Sequence, residues 1–188
     1  MTQAFALMDK AEADRFMNGK DDHPIRDVTA GLIGNEKVLD IGCGRGIRVS
    51  ELYDKYQYIG SDVSRTLIDR AREDNPVHVF VCVEGMDLLG TIPDNGRDNI
   101  LISSVFEHME SLEDAQALFF EAVRASKRLI IGWNHPPHYD ETEIIKVRAE
   151  LKLPMNQNHY KEGSFDRDDL QIERIGVESC EVWTVRSR

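Results

Sequence analysis

Two acids and three glycines mark the part of this chain best suited to chemistry. Asp40 stands in Val38-Leu39-Asp40-Ile41, where apolar residues around an acid read as a buried parallel strand. The run Gly42-Cys43-Gly44-Arg45-Gly46 follows, a turn too tight for side chains, and a helix is expected from about Ile47. Such a strand-to-helix turn lets a ligand approach the backbone, with helix N–H groups aimed at it. A dinucleotide fingerprint would carry a further glycine at position 47, where this chain has Ile47. A carboxylate at position 40 would repel a pyrophosphate and suits a ligand with a cationic amine. A second acid, Asp62, follows the next expected strand, Tyr56-Gln57-Tyr58-Ile59-Gly60. At a strand tip a carboxylate can accept both hydroxyls of a ribose. That tip is expected to be open to solvent, so replacing Asp62 should affect a ligand more than the fold. Two other readings of the glycines stand beside this one: a dehydrogenase turn of unusual spacing, and a turn that serves packing alone.

The elements that must position these residues alternate between strand and helix. An amphipathic segment from Phe5 to Met17 and a polar turn precede a short helix beginning at His23-Pro24, with proline tolerable in the first turn. After the two strands already named, Ser64 caps a helix through Arg72. A third strand is expected over about Val77 to Val83 and a fourth over Asn99 to Ser103. A helix near Glu113–Ala125 and a fifth strand, Arg128 to Trp133, come next. This alternation implies an open, mostly parallel sheet that binds ligands at the carboxyl ends of its strands. Ser164 to Leu170 leave room for one or two helical turns. Gln171–Val177 and Cys180–Arg186 then lie too close for a crossover and should pair as an antiparallel hairpin.

Composition narrows the partners. The chain has 188 residues and a net charge of −11, from 34 acids against 23 basic residues. One domain over 1–188 is expected, with 1–23 as an N-terminal lid or cap and 134–163 as a variable insertion on the substrate side. The acidity disfavours nucleic acid as a partner and mildly favours a small-molecule acceptor. Arg65, Arg70 and Arg72 share a helix with Asp69, Glu73 and Asp74, which reads as a solvated face. Cys43, Cys82 and Cys180 fit neither a disulfide framework nor a metal site. No signal-peptide pattern or apolar run of membrane-spanning length is visible, so a cytoplasmic location away from membranes is expected. His135, His138, Tyr139, His159 and Tyr160 gather around an expected helix, Glu141–Leu151. They suit a solvent-facing, substrate-side loop better than a metal site, which needs converging ligands.

Val38 to Gly46 resembles the first motif of the class I S-adenosylmethionine-dependent methyltransferases, and Gly60-Ser61-Asp62-Val63-Ser64 resembles their second. The likeness covers about Asp22 to Gly132 and, more loosely, the final hairpin. It implies an α/β, Rossmann-like three-layer sandwich with strand order 3-2-1-4-5-7-6. The implied cofactor is S-adenosylmethionine, leaving as S-adenosylhomocysteine, and the implied activity is methyl transfer to an oxygen or nitrogen. Asp40 and the backbone of Gly42 and Gly44 would face the methionine part, Asp62 the ribose and Val63 the adenine, with Cys43 and Gly46 also among the cofactor-binding residues. Asp87 would meet the adenine amine, with Met86 as an apolar wall; a turn or helix-cap role for Asp87 fits as well. Ser103 and Ser104 would hold the cofactor's amino group through backbone carbonyls. The stretch Asp98 to Met109 is similar to the family segment with a Glu-His pair, here Glu107-His108, in which the histidine is a base in some members and a packing residue in others. His108 and His135 are the candidate catalytic residues. The chain lacks the Asn/Asp-Pro-Pro-aromatic signature of enzymes that methylate bases, having Ser103-Ser104-Val105-Phe106 there. It also lacks the family's glycine turn before strand five, having Arg124-Ala125-Ser126-Lys127-Arg128. Protein or RNA methylation, and a catalytically silent cofactor-binding role, are the alternatives.

Overall fold

The computed structural model describes residues 6–7, 9–12, 25–33, 36–46, 58–134, 163–177 and 180–188. Its strands are β1 (Val38–Ile41), β2 (Tyr58–Asp62), β3 (Val79–Cys82), β4 (Arg97–Ser103), β5 (Ser126–Asn134), β6 (Leu170–Val177) and β7 (Cys180–Ser187). They form a seven-stranded sheet in the order β3-β2-β1-β4-β5-β7-β6. Pairings from β3 to β5 are parallel, while β7 runs antiparallel to both β5 and β6. Strand order and terminal hairpin are those expected from the sequence.

Side-chain alternation sorts the core into two layers. On one face Val38, Tyr58, Phe80, Leu101, Ile130 and Val182 pack with α1 (Ile25–Ile33) and α2 (Arg65–Asp74). On the other, Leu39, Ile41, Ile100, Ile102, Leu129 and Ile131 pack with α3 (Gly85–Gly90) and α4 (Leu112–Ala125). A sheet covered on both faces needs apolar side chains pointing both ways. Ile100-Leu101-Ile102 and Leu129-Ile130-Ile131 accordingly have no exposed member. Each helix is started by a serine where the sequence offers one: the Ser64 hydroxyl accepts the Leu67 N–H at 3.4 Å, and that of Ser111 accepts the Asp114 N–H at 3.0 Å.

Four local features differ from expectation. The expected third strand shortens to Val79–Cys82 because it is the sheet edge, where Val77 and Val79 lie exposed. Gly85-Met86-Asp87, where no helix was expected and a turn or helix-cap role stood as one reading of Asp87, opens the short helix α3. A six-residue helix with glycine at both ends has poor intrinsic propensity, and packing creates it: Leu89 is fully buried, and a Cβ on Gly85 would sit 2.6 Å from Ile41 Cγ2. Further along, α4 runs straight into β5 at Ser126, whose hydroxyl donates to the Ala122 carbonyl at 2.8 Å. No glycine turn is needed where there is no turn. Residues 163–169 form turns rather than a helix, and they bury Phe165 beneath α4.

The helix expected from Ile47, most of the N-terminal segment, and the region holding His135, His138, Tyr139, Glu141–Leu151, His159 and Tyr160 lie outside the described residues. Among the described residues no helix is long and apolar enough to cross a membrane.

Phe119 pins α4 to its surroundings, with its ring 4.8 Å from that of Phe165 and 5.2 Å from that of Phe120. Phe119→Ala should therefore lower stability by about 3–5 kcal/mol. Urea denaturation checks this, and a loss below about 1 kcal/mol would contradict the packing described.

Candidate functional site

Parallel pairing brings the carboxyl ends of the strands to one edge of the sheet. Asp40 lies between Gly60 of β2 and Leu101 of β4, Asp62 opposite Cys82, and Ser103 opposite Gly132. Strand order reverses between β1 and β4, which is where open α/β sheets leave a crevice.

The turn after β1 has the backbone its glycines permit, with φ of +74° at Gly42, +57° at Gly44 and +70° at Gly46. It is bound to β2 in three places. The N–H groups of Gly42 and Cys43 both donate to the Ser61 carbonyl, at 2.8 and 2.9 Å. The Gly44 N–H donates to Asp62 Oδ2 at 3.0 Å. Side chains at positions 42 and 46 are excluded by the protein itself: a Cβ on Gly42 would collide with Val105 Cγ2, and one on Gly46 would lie 2.8 Å from the Phe80 ring. Packing therefore demands these two glycines whatever else they serve.

Asp62 is not open to solvent, contrary to expectation. It is 7% exposed, and its second oxygen accepts the Ser64 N–H at 2.8 Å. Burial pushes its carboxyl above the ordinary aspartate range, while the N–H groups of Ser64, Gly44 and Val63 pull the other way. The carboxylate thus links the glycine turn to the start of α2, and it keeps acceptor capacity beyond the hydrogen bonds from Gly44 and Ser64. Asp40, 1% exposed, accepts the Tyr58 hydroxyl at 2.7 Å on Oδ2.

The remaining candidates differ in burial and backbone. Cys43 is buried within the turn, and Val63 is half-buried just after β2. Met86 is half-buried against the α3–α4 side of the core, while Asp87 is exposed in the first turn of α3. The Ser103 hydroxyl is buried and has no hydrogen-bond partner among the described residues. Ser104 has a left-handed backbone, φ +56°, unusual for a residue with a side chain, and its N–H donates to the Gly132 carbonyl at 3.0 Å. His108 closes a 3-10 turn, Phe106–His108, and is buried at 8% exposure. His135 lies outside the described residues. Among the described residues no cluster of three or more His, Cys, Asp or Glu could hold a metal. Sequence reasoning passed over Tyr58 and Val105. The signal for Tyr58 was its place two residues before Gly60, on the sheet face of Asp40.

Asp62→Ala removes the acceptor of two buried amides, so it should destabilise the protein without ligand by about 2–3 kcal/mol. Chemical denaturation measures this, and an unchanged midpoint would show that the amides find other partners.

Residues 39–129 match a protein family described as a methyltransferase domain. No curated protein matches the sequence. The fold is similar to that of the magnesium protoporphyrin IX methyltransferase ChlM from Synechocystis PCC 6803, solved with bound SAH, at TM-score 0.68 and 16% identity over 98% of this chain and 97% of that one. It is also similar to a TehB-like SAM-dependent methyltransferase from Corynebacterium glutamicum, at 0.61 and 18% over 96% and 100%. A structure reported for conversion of a disulfide into a thioacetal during echinomycin biosynthesis aligns at 0.62 and 22% over 87% and 81%. In its glycine turn, its acid-tipped second strand and the 3-2-1-4-5-7-6 sheet, the chain is similar to the class I S-adenosylmethionine-dependent methyltransferases, and the methyltransferase-domain match covers residues 39–129 of its 188.

Proposed function

We propose that this protein transfers a methyl group from S-adenosylmethionine to an oxygen or nitrogen of a small-molecule acceptor. The observation that carries the reading is the buried Asp62 carboxylate, held by the Gly44 and Ser64 amides at the strand edge where the sheet order reverses. The residues fit the cofactor. Asp62 retains acceptor capacity for two ribose hydroxyls, the buried Ser103 hydroxyl is ready to bond, and Ser104 holds a strained backbone beside it. Asp40 supplies a negative charge for the cofactor's amino group, with the backbone of Gly42, Cys43, Gly44 and Gly46 alongside. Val63 and Met86 offer apolar contact to the adenine, and Asp87 an acceptor for its amine.

When bound, S-adenosylmethionine supplies an activated methyl group on a sulfonium. The chain's task is then to hold the acceptor in line and exclude water. For a hydroxyl acceptor it must also remove a proton, and His108, in the loop after β4, is the base we assign; His135 is the second candidate. A small acceptor is supported by the net charge of −11, which repels nucleic acid, and by a similar structure that is named a protoporphyrin methyltransferase.

Calorimetry should show saturable binding of S-adenosylmethionine and S-adenosylhomocysteine, and NAD binding with no response to either would overturn the reading. Affinity should also depend on pH with a definite sign. Binding needs ionised Asp62, and burial raises its pKa, so affinity should fall with pH at higher pH than for an ordinary aspartate. By linkage, ionising this group costs the unliganded protein stability as pH rises from the unfolded aspartate value through the raised one. Affinity measured at successively lower pH should begin to fall above the ordinary aspartate range in the natural protein and show no such loss in Asp62→Asn.

Once an acceptor is in hand, His108→Ala should lower turnover about a hundredfold while cofactor affinity persists. A loss of cofactor affinity and melting temperature, with turnover per bound cofactor unchanged, would assign His108 to packing instead.

A further inference from the structure

Tyr58 opens β2, is 1% exposed, and donates its hydroxyl to Asp40 Oδ2 at 2.7 Å. That distance lies in the range of hydrogen bonds from a hydroxyl to an ionised acceptor. The sheet register makes the contact deliberate. Tyr58 pairs with Val38 and Asp40 with Gly60, so the hydroxyl reaches two residues along the strand, toward the carboxyl edge, to find the acid. The ring itself has little freedom: it meets His78 edge-on at 5.7 Å and Phe80 at 5.9 Å. Phe80 and Cys43 fill the space beside Gly60, where a Cβ would come within 2.8 Å of each. A tyrosine locked by aromatic packing is thus aimed at the acid that opens the glycine turn.

We propose that Tyr58 is a positioning residue of the cofactor site, acting through Asp40. It takes Oδ2 on the side facing the start of β2, and so turns the rest of the carboxylate toward the carboxyl edge of the sheet. There Asp40 addresses the amino-acid end of the cofactor, whereas Asp62 addresses the ribose. Tyr58 therefore governs one end of the ligand and not the other. This rests on the cofactor reading given above.

The test compares two ligands on the full chain. S-Adenosylhomocysteine carries the amino-acid end, and 5′-methylthioadenosine keeps the adenosine and the thioether but lacks that end. In Tyr58→Phe, affinity for S-adenosylhomocysteine should fall about tenfold while that for 5′-methylthioadenosine changes less than about twofold. In an Asp40→Asn background the same substitution should add no further selective loss. Equal weakening of both ligands, or of neither, overturns the inference, since a merely structural role does not discriminate between them. If Tyr58→Phe fails to fold, 3-fluorotyrosine at position 58 keeps the shape and changes only the donor strength of the hydroxyl. An affinity ratio that shifts then supports the inference, and an unchanged ratio overturns it. Binding of neither ligand by the natural protein would overturn the cofactor reading and this inference together, an outcome distinct from an unselective variant.

Discussion

A carboxylate taken out of water must find donors, and at the end of β2 the donors it finds organise the site. Burial of an unpaired aspartate costs several kcal/mol, which charge-assisted bonds to amide N–H groups offset. Asp62 draws one such group from Gly44 and another from Ser64. The first closes the glycine turn onto β2; the second sets the strand-to-helix corner where Ser64 caps α2. Burial still pushes the Asp62 carboxyl above the ordinary aspartate range, against the pull of these amides. A carboxylate with acceptor capacity beyond these bonds can take further hydroxyl donors.

That local constraint acts within a global one. A sheet buried on both faces forces the central stretches of β4 and β5, Ile100-Leu101-Ile102 and Leu129-Ile130-Ile131, to be apolar, so polar groups beside them stand out. Asp40 interrupts β1 on the α1–α2 face, beside Leu101, and Ser103 ends β4 two residues beyond Leu101 on that same face. The two lie on neighbouring strands at the point where the strand order reverses. Above them the loop after β4 folds down, with Val105 seated on Gly42. The stretch that carries His108 is thereby fixed relative to the glycine turn, through a contact that any side chain at position 42 would break.

The frame was legible in the sequence because its signals are local. Apolar runs, glycine spacing and the serine caps each speak for a few residues, and the seven-stranded order follows once the family resemblance is read from them. What escaped depended on tertiary contact. α3 exists because Leu89 and Gly85 meet the core, not because Gly85–Gly90 favours a helix. The direct passage from α4 to β5 is stabilised by Arg124, whose guanidinium donates to the carbonyls of Leu89 and Ile92 at 3.1 and 2.9 Å, a contact invisible along the chain. Asp62 was read as solvent-exposed because a strand tip usually is; one of the amides that enclose it comes from the glycine turn, eighteen residues earlier in the chain. Tyr58 was read as a strand residue; its place two residues before Gly60 puts it on the face of Asp40, but only the tertiary structure shows its hydroxyl reaching that acid.

The glycines alone are a weaker argument for ligand binding than their spacing suggests. Val105 and Phe80 occupy the places of the missing side chains at Gly42 and Gly46, so a purely structural turn would need the same residues. What a structural turn would not need is a buried ionisable group. An asparagine or a backbone carbonyl could brace one amide without the cost of desolvating a charge. Nor would it need a left-handed serine next to a buried hydroxyl that has no hydrogen-bond partner among the described residues. Unpaired and strained groups are costly wherever they occur, and they persist where a function uses them. In this chain a buried carboxylate, a buried hydroxyl and a strained backbone lie at one edge of the sheet, at Asp62, Ser103 and Ser104. The case for a bound nucleoside therefore rests on these three residues, with the glycine turn as the scaffold beside them.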